Sequence, residues 1–169
     1  MKLLVTKLWF PHDIGAIVDS LFRIPQVQEL FDDGYEYVGE IRPRGLKICS
    51  GYWPADAILA RLPESHDDVR LVVTALGLQG DYGRIHGKGS KGRAIASSQG
   101  CTDGYGLFHP EDVGFSAVAF GEIGHAIGLQ HHDFDPSNPC EMSHNCIPGP
   151  HWQSLDEVRF CDDCYTQVR

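Results

Sequence analysis

Basic residues are scarce in this 169-residue chain: 14 Lys and Arg stand against 23 Asp and Glu, a net charge of −9. A nucleic-acid partner requires a basic face to meet phosphate, so the expectation is that none is bound. Long apolar runs are missing as well. No stretch reaches the ~20 residues of a membrane-spanning helix, and no membrane partner is expected. The opening Met1 to Phe10 is broken by Lys7, and Pro11-His12-Asp13 takes the place of a small-residue cleavage site. It reads as a strand rather than a secretory leader, and the expected location is the cytoplasm. Internal repeats and low-complexity tracts are absent too, leaving one domain or one domain with a small appendage.

What the chain does have is enough apolar residue, 42% of the total, to bury a core without cross-links. Leu3 to Phe10 is apolar enough for a buried strand. A helix is expected from Ile14 to Phe22, with Ile14, Ile17, Val18 and Leu21 on one stripe. Tyr35 to Ile41 follows an Asp-Asp-Gly turn and reads as a strand. Arg42 to Gly51 is loop-like. Pro54 opens a second helix over Ala55 to Leu62. Val69 to Leu76 is the strongest strand. The glycine-rich run 77–92 lacks the spacing of a phosphate loop and reads as a flexible hairpin or loop. Arg93 to Ser98 is a short strand, and Val113, Ala117, Phe120, Ile123 and Ile127 recur at helical spacing over Pro110 to Ile127. The fold class these imply is α/β (α+β): a twisted mixed sheet with helices.

The stretch Gly121 to His132 organises the rest. It reads as H-E-x-x-H-x-x-G-x-x-H with Gly121 in place of the first histidine. Glu122 and His125 lie three apart on one helical face, and Gly128 permits the sharp turn that brings His131 and His132 back toward it. In the full motif three histidines hold zinc and the glutamate acts as base toward zinc-activated water. Here Glu122, His125 and His131 remain. A catalytic zinc normally has three protein ligands, so a third is to be found: Glu122 itself, His109 and His86 are the available donors.

Together with Cys140-Glu141-Met142 and Cys161-Asp162-Asp163-Cys164, this stretch resembles the archaemetzincins, a family of metzincin-type zinc metallopeptidases. The match covers the C-terminal third closely, while residues 1–76 agree only in general architecture. The resemblance implies a first zinc site at His125 and His131, with Met142 as the methionine turn beneath it. It implies a second, structural zinc site at His132, Cys140, Cys161 and Cys164, where His132 stands in place of a family cysteine. Three thiolates and one imidazole are a set zinc accepts in closed tetrahedral sites. His144, Cys146 and His151 are alternatives to His132 as fourth ligand. The loop from His132 to Cys140 is longer than the family's. Cys49 and Cys101 read as plain buried residues.

The implied activity is zinc-dependent hydrolysis of a peptide or protein substrate, weakened or lost if Gly121 leaves the first site incomplete. The alternative is a non-catalytic, zinc-containing peptide-binding relative. By the same resemblance Arg93, Ala94, Ile95 and Ala96 belong to the strand bordering the cleft, along which the peptide would lie. An α/β part over 1–128 and an irregular zinc-bound subdomain over 129–169 complete the expectation. A di-metal carboxylate site pairing Glu122-x-x-His125 with Glu141-x-x-His144 is disfavoured by the prolines around the second pair.

Overall fold

The computed structural model describes residues 1–42, 44–46, 48, 51–65, 67–81, 83–99, 101, 108–109, 112–143 and 152–169. Its centre is formed by the two most apolar strands of the sequence, β1 (Leu3–Leu8) and β4 (Val69–Thr74), paired in parallel. Both are covered on both faces, which is why they read as near-continuous apolar runs. Outside β1 lies β2 (Tyr35–Glu40), also parallel, and outside β4 lies β8 (Arg93–Ser97), parallel again. The final strand of this sheet, β7 (Gly87–Ser90), runs antiparallel to β8, giving the order β2-β1-β4-β8-β7. A second, smaller sheet has the order β3-β5-β6, from β3 (Trp53–Pro54), β5 (Leu78–Gly80) and β6 (Gly83–Ile85). The mixed α/β class expected from the sequence is the one found.

Alternation along the strands divides the core in two. Leu71, Val73, Ala94 and Ala96 face a larger cluster with α1 (Ile14–Leu21), α2 (Pro25–Leu30) and α4 (Val113–Ala126). Val72 and Ile95 face the other way, into a cluster with Trp53 and with Ala55, Ile58 and Leu59 of α3 (Ala55–Leu59). The C-terminal segment, a 3-10 turn at Leu155–Glu157 and α5 (Asp162–Val168), joins the α4 side. Phe160 stacks on Phe120 of α4 with centroids 4.0 Å apart, and both rings are almost completely buried. The Gln26 side chain receives a hydrogen bond from the Phe160 N–H at 2.7 Å and donates to the Phe160 carbonyl at 3.1 Å. That two-bond clasp fixes the chain leading into the Cys161 turn.

Several expectations need adjusting. α2 had no sequence signal beyond Pro25, because six residues are too few for helical periodicity to register. α3 ends at Leu59, three residues earlier than expected. The run 77–92, read as a flexible hairpin or loop, contains three strands: β5 and β6 pair as a hairpin in the smaller sheet, and β7 pairs with β8 in the larger one. No described helix is long and apolar enough to cross a membrane.

Candidate functional site

α4 is capped at its start by Asp112, whose Oδ1 accepts the Gly114 N–H at 2.7 Å. It ends as the glycine predicts. Gly128 has φ of +105°, its N–H donates to the His125 carbonyl at 3.2 Å, and the Leu129 N–H donates to the Gly124 carbonyl at 2.9 Å. This pair of bonds closes the last turn and redirects the chain. His131 is thereby returned to face His125.

The two imidazoles converge. His125 Nε2 and His131 Nε2 lie 3.0 Å apart. His125 Nδ1 is 3.1 Å from the Leu129 carbonyl, and His131 Nδ1 is 3.1 Å from the Met142 carbonyl. A carbonyl only accepts, so each Nδ1 is assigned the proton and each Nε2 presents its lone pair toward the other. Two lone pairs at that distance repel unless a proton or a cation lies between them. Two nitrogens bound tetrahedrally to one zinc stand ~3.4 Å apart, so a small opening of this pair would admit the ion. The chemistry of the donors fits a zinc site with two of its ligands in place.

The space in front of the pair is a cleft of about 330 Å³, with Glu122, His125 and His131 on one wall and Asp81, Gly87 and Lys88 on the other. A larger cavity of about 620 Å³, lined by residues such as Glu64, Lys91 and Val168, includes none of Glu122, His125 and His131. Burial pushes the Glu122 carboxyl up to about 8, the charge of Glu141 adds to this, and Lys88 opposes it. Glu141 is pushed up to about 7 by burial, against the hydrogen bond it accepts from Trp152. A cation at the imidazoles would draw both carboxyls back down. Lys88 itself turns to the far side, with Nζ 2.7 Å from Asp56 and 3.4 Å from Asp81.

The glycines of β7 explain themselves here. A Cβ at Gly87 would lie 2.5 Å from Glu122 Cγ, and one at Gly89 would lie 2.0 Å from the Glu122 carbonyl oxygen. Both positions must be bare for the strand to lie against α4. Gly89→Ala is therefore expected to force strand and helix apart, costing about 1–3 kcal/mol or more in denaturant unfolding. An unchanged unfolding midpoint would show that the contact yields freely.

Arg93 to Ala96 are placed differently from the sequence expectation. β8 is paired on both sides, with β4 and β7, so it has no free edge. Ala94, Ile95 and Ala96 are fully buried. The Arg93 guanidinium lies 3.3 Å from both the Leu59 and Leu62 carbonyls and 3.1 Å from Glu64, holding the end of α3. The edge bordering the cleft is β7, one strand further out.

Met142 is fully buried beneath α4. A Cβ at Gly124 would meet its Sδ at 2.7 Å, so that glycine makes room for the methionine. The neighbouring cluster is the most explicit among the described residues. Donor atoms of His132, Cys140, Cys161 and Cys164 all lie within 4.8 Å of one another, and this group could hold a metal ion. His132 Nε2 is 3.6 Å from Cys161 Sγ, and its Nδ1 is 2.8 Å from the Asp133 carbonyl. The three thiols are buried. Burial pushes Cys140 and Cys164 up, so they stay protonated until a cation displaces the proton.

The remaining candidates do not join either site. His86 lines a separate pocket with Tyr52 and Gln99. His109 precedes Asp112, at the far end of α4 from His125. Cys101 is half-buried with its thiol pushed up to about 11 by burial, as a plain interior cysteine would be. Cys49, His144, Cys146 and His151 lie outside the described residues, and with them the second half of the di-metal pattern. Sequence reasoning weighed Glu141 only as half of the disfavoured di-metal pattern, and not as a neighbour of Gly121. A Cβ at Gly121 would lie 3.2 Å from its Cγ and 3.4 Å from its Oε1. The carboxylate thus lies directly against the place of a side chain at position 121.

No family model and no curated protein sequence matches the chain. Solved structures do. The archaemetzincin of Archaeoglobus fulgidus, crystallised with malonate, is 21% identical, with a TM-score of 0.68 over 99% of this chain and 100% of that one. The archaemetzincin of Methanopyrus kandleri is 21% identical, with a TM-score of 0.67 over 99% of this chain and 93% of that one. The fold is therefore archaemetzincin-like along its whole length, with a three-cysteine, one-histidine group able to hold a metal ion.

Proposed function

We propose that this chain is a zinc-dependent peptide hydrolase with Glu122 as its general base. The observation that carries the reading is the convergence of His125 and His131 through Nε2, beside the half-buried Glu122 carboxyl and next to β7, the outermost strand of its sheet among the described residues. When bound by the two imidazoles, zinc would supply a Lewis acid that acidifies water and polarises a carbonyl. The chain's own groups do the rest. Leu129 and Met142 fix the imidazole tautomers from behind, a role that commonly governs metal affinity. Glu122 takes the proton from water and returns it to the leaving amine. β7 offers its backbone to an extended peptide, which would add to the sheet as a further strand. The second zinc, at His132, Cys140, Cys161 and Cys164, would be structural and have no open position for water.

Gly121 favours the second reading, a peptide-binding relative without catalysis, because it supplies no ligand. The two part on one assay. Full-length protein loaded with zinc is incubated with casein, an unstructured substrate. The expected result is slow cleavage that a chelator abolishes. No cleavage by protein whose cleft metal is present would establish the binding module instead.

A further inference from the structure

We propose that Glu141 completes the cleft metal site as its third protein ligand, in the place that Gly121 leaves empty. The inference rests on the metallohydrolase reading above and adds a ligand to it.

Position is the first argument. Gly121 lies one helical turn before His125 on the same face of α4, so a side chain there would enter the cleft beside that imidazole. The Glu141 carboxylate borders that place, with Cγ 3.2 Å and Oε1 3.4 Å from the position of a Cβ on Gly121. Absence of one side chain and presence of the other describe a single exchange of donors.

Support is the second. Trp152 Nε1 donates to Glu141 Oε2 at 2.7 Å, which fixes one oxygen and leaves Oε1, beside Gly121, available as donor. Ligating carboxylates are commonly oriented by such a bond to the oxygen that does not bind. The Glu141 N–H donates to the Arg159 carbonyl at 2.9 Å, tying its backbone to the segment that leads into Cys161.

The third is the turn itself. Cys140 gives its thiol to the four-residue cluster, and the Met142 carbonyl holds His131 Nδ1. Glu141, between them, is the residue of this turn that borders Gly121. Among the described residues only the His132, Cys140, Cys161 and Cys164 donors all lie within 4.8 Å of one another. Glu141 must therefore turn toward the imidazoles as metal binds. Two imidazoles and one carboxylate form a donor set used by catalytic zinc, and they leave Glu122 free to act as base.

The test counts metal rather than turnover. Full-length protein is dialysed against a weak chelator and titrated with Co(II), whose thiolate charge-transfer bands separate the cysteine site from a nitrogen–oxygen site. Wild type is expected to bind two equivalents, one of each spectral kind. Glu141→Gln, which keeps the side chain's shape, should weaken the nitrogen–oxygen equivalent by about 10–100-fold or more and leave the thiolate bands unchanged. Those unchanged bands also report that the variant is folded. Gly121→His combined with Glu141→Ala should restore the lost equivalent. If Glu141→Gln and Glu141→Ala bind the second equivalent as wild type does, the proposal is overturned while the metallohydrolase reading stands. A loss caused by Glu122→Gln alone would likewise overturn it, because Glu122 would then be the ligand. A wild type that binds only the thiolate equivalent would overturn both.

Discussion

Cys161→Ala is expected to lower the melting temperature by on the order of 10 °C or more, and a strong chelator should lower that of the wild type to match. Removing one small buried side chain would cost far less than this. The larger effect comes from the metal, because a structural zinc contributes its binding free energy to folding, about 10–16 kcal/mol in isolated zinc-finger peptides. Even a few kcal/mol of that shifts a domain of this size by about 2–4 °C for each kcal/mol. The geometry explains why the cost is global. Cys161 begins α5, Cys140 begins the turn that carries Met142, and His132 follows the turn at Gly128. One ion would tie all three to the underside of α4. A melting curve unmoved by either treatment would show that the thiols are an ordinary reduced cluster.

Glu122→Gln carries the second large effect, a fall in peptide hydrolysis of about 10²–10⁴-fold with melting temperature and metal content near wild type. The side chain is held between α4 and β7, with its Cγ only 2.5 Å from where a Gly87 Cβ would be. An amide of the same shape fits that slot but cannot take the proton from water. Turnover that survives the change would assign the base elsewhere. Gly121→His alone is a less clean experiment, since its Cβ would crowd Glu141 Cγ at 3.2 Å and dislodge it from Trp152.

The parts of this molecule that were legible in the sequence are those governed by local pattern. β1 and β4 announce themselves as apolar runs because they are buried on both faces. Helix α4 shows in the spacing of Ala117, Phe120 and Ile123, and its end shows in Gly128. The donors Cys140, Cys161 and Cys164 were legible by density, spacing and the resemblance, with His132 one of four candidates for the fourth place, and these four do meet in space. What was not legible depends on partners distant in sequence. Gly87 and Gly89 looked like loop residues because strand propensity disfavours glycine, whereas the need for them comes from the backbone of α4 lying against them. Arg93 looked available to substrate because nothing local says that β7 pairs outside β8, or that the carbonyls of Leu59 and Leu62 lie within its reach. Glu141 was weighed in the sequence only as half of a disfavoured di-metal pair. Its meaning appears only when Gly121 is seen beside it.

Anomalous diffraction at the zinc edge, from crystals of the wild-type protein grown with zinc, tests the central claim most directly. Two peaks are predicted. One lies among His132, Cys140, Cys161 and Cys164, and the other lies within bonding distance of His125 Nε2 and His131 Nε2, with a Glu141 oxygen turned onto it. A single peak at the cysteine cluster, with His125 and His131 still in mutual contact, would contradict the claim that this cleft is built to hold a metal.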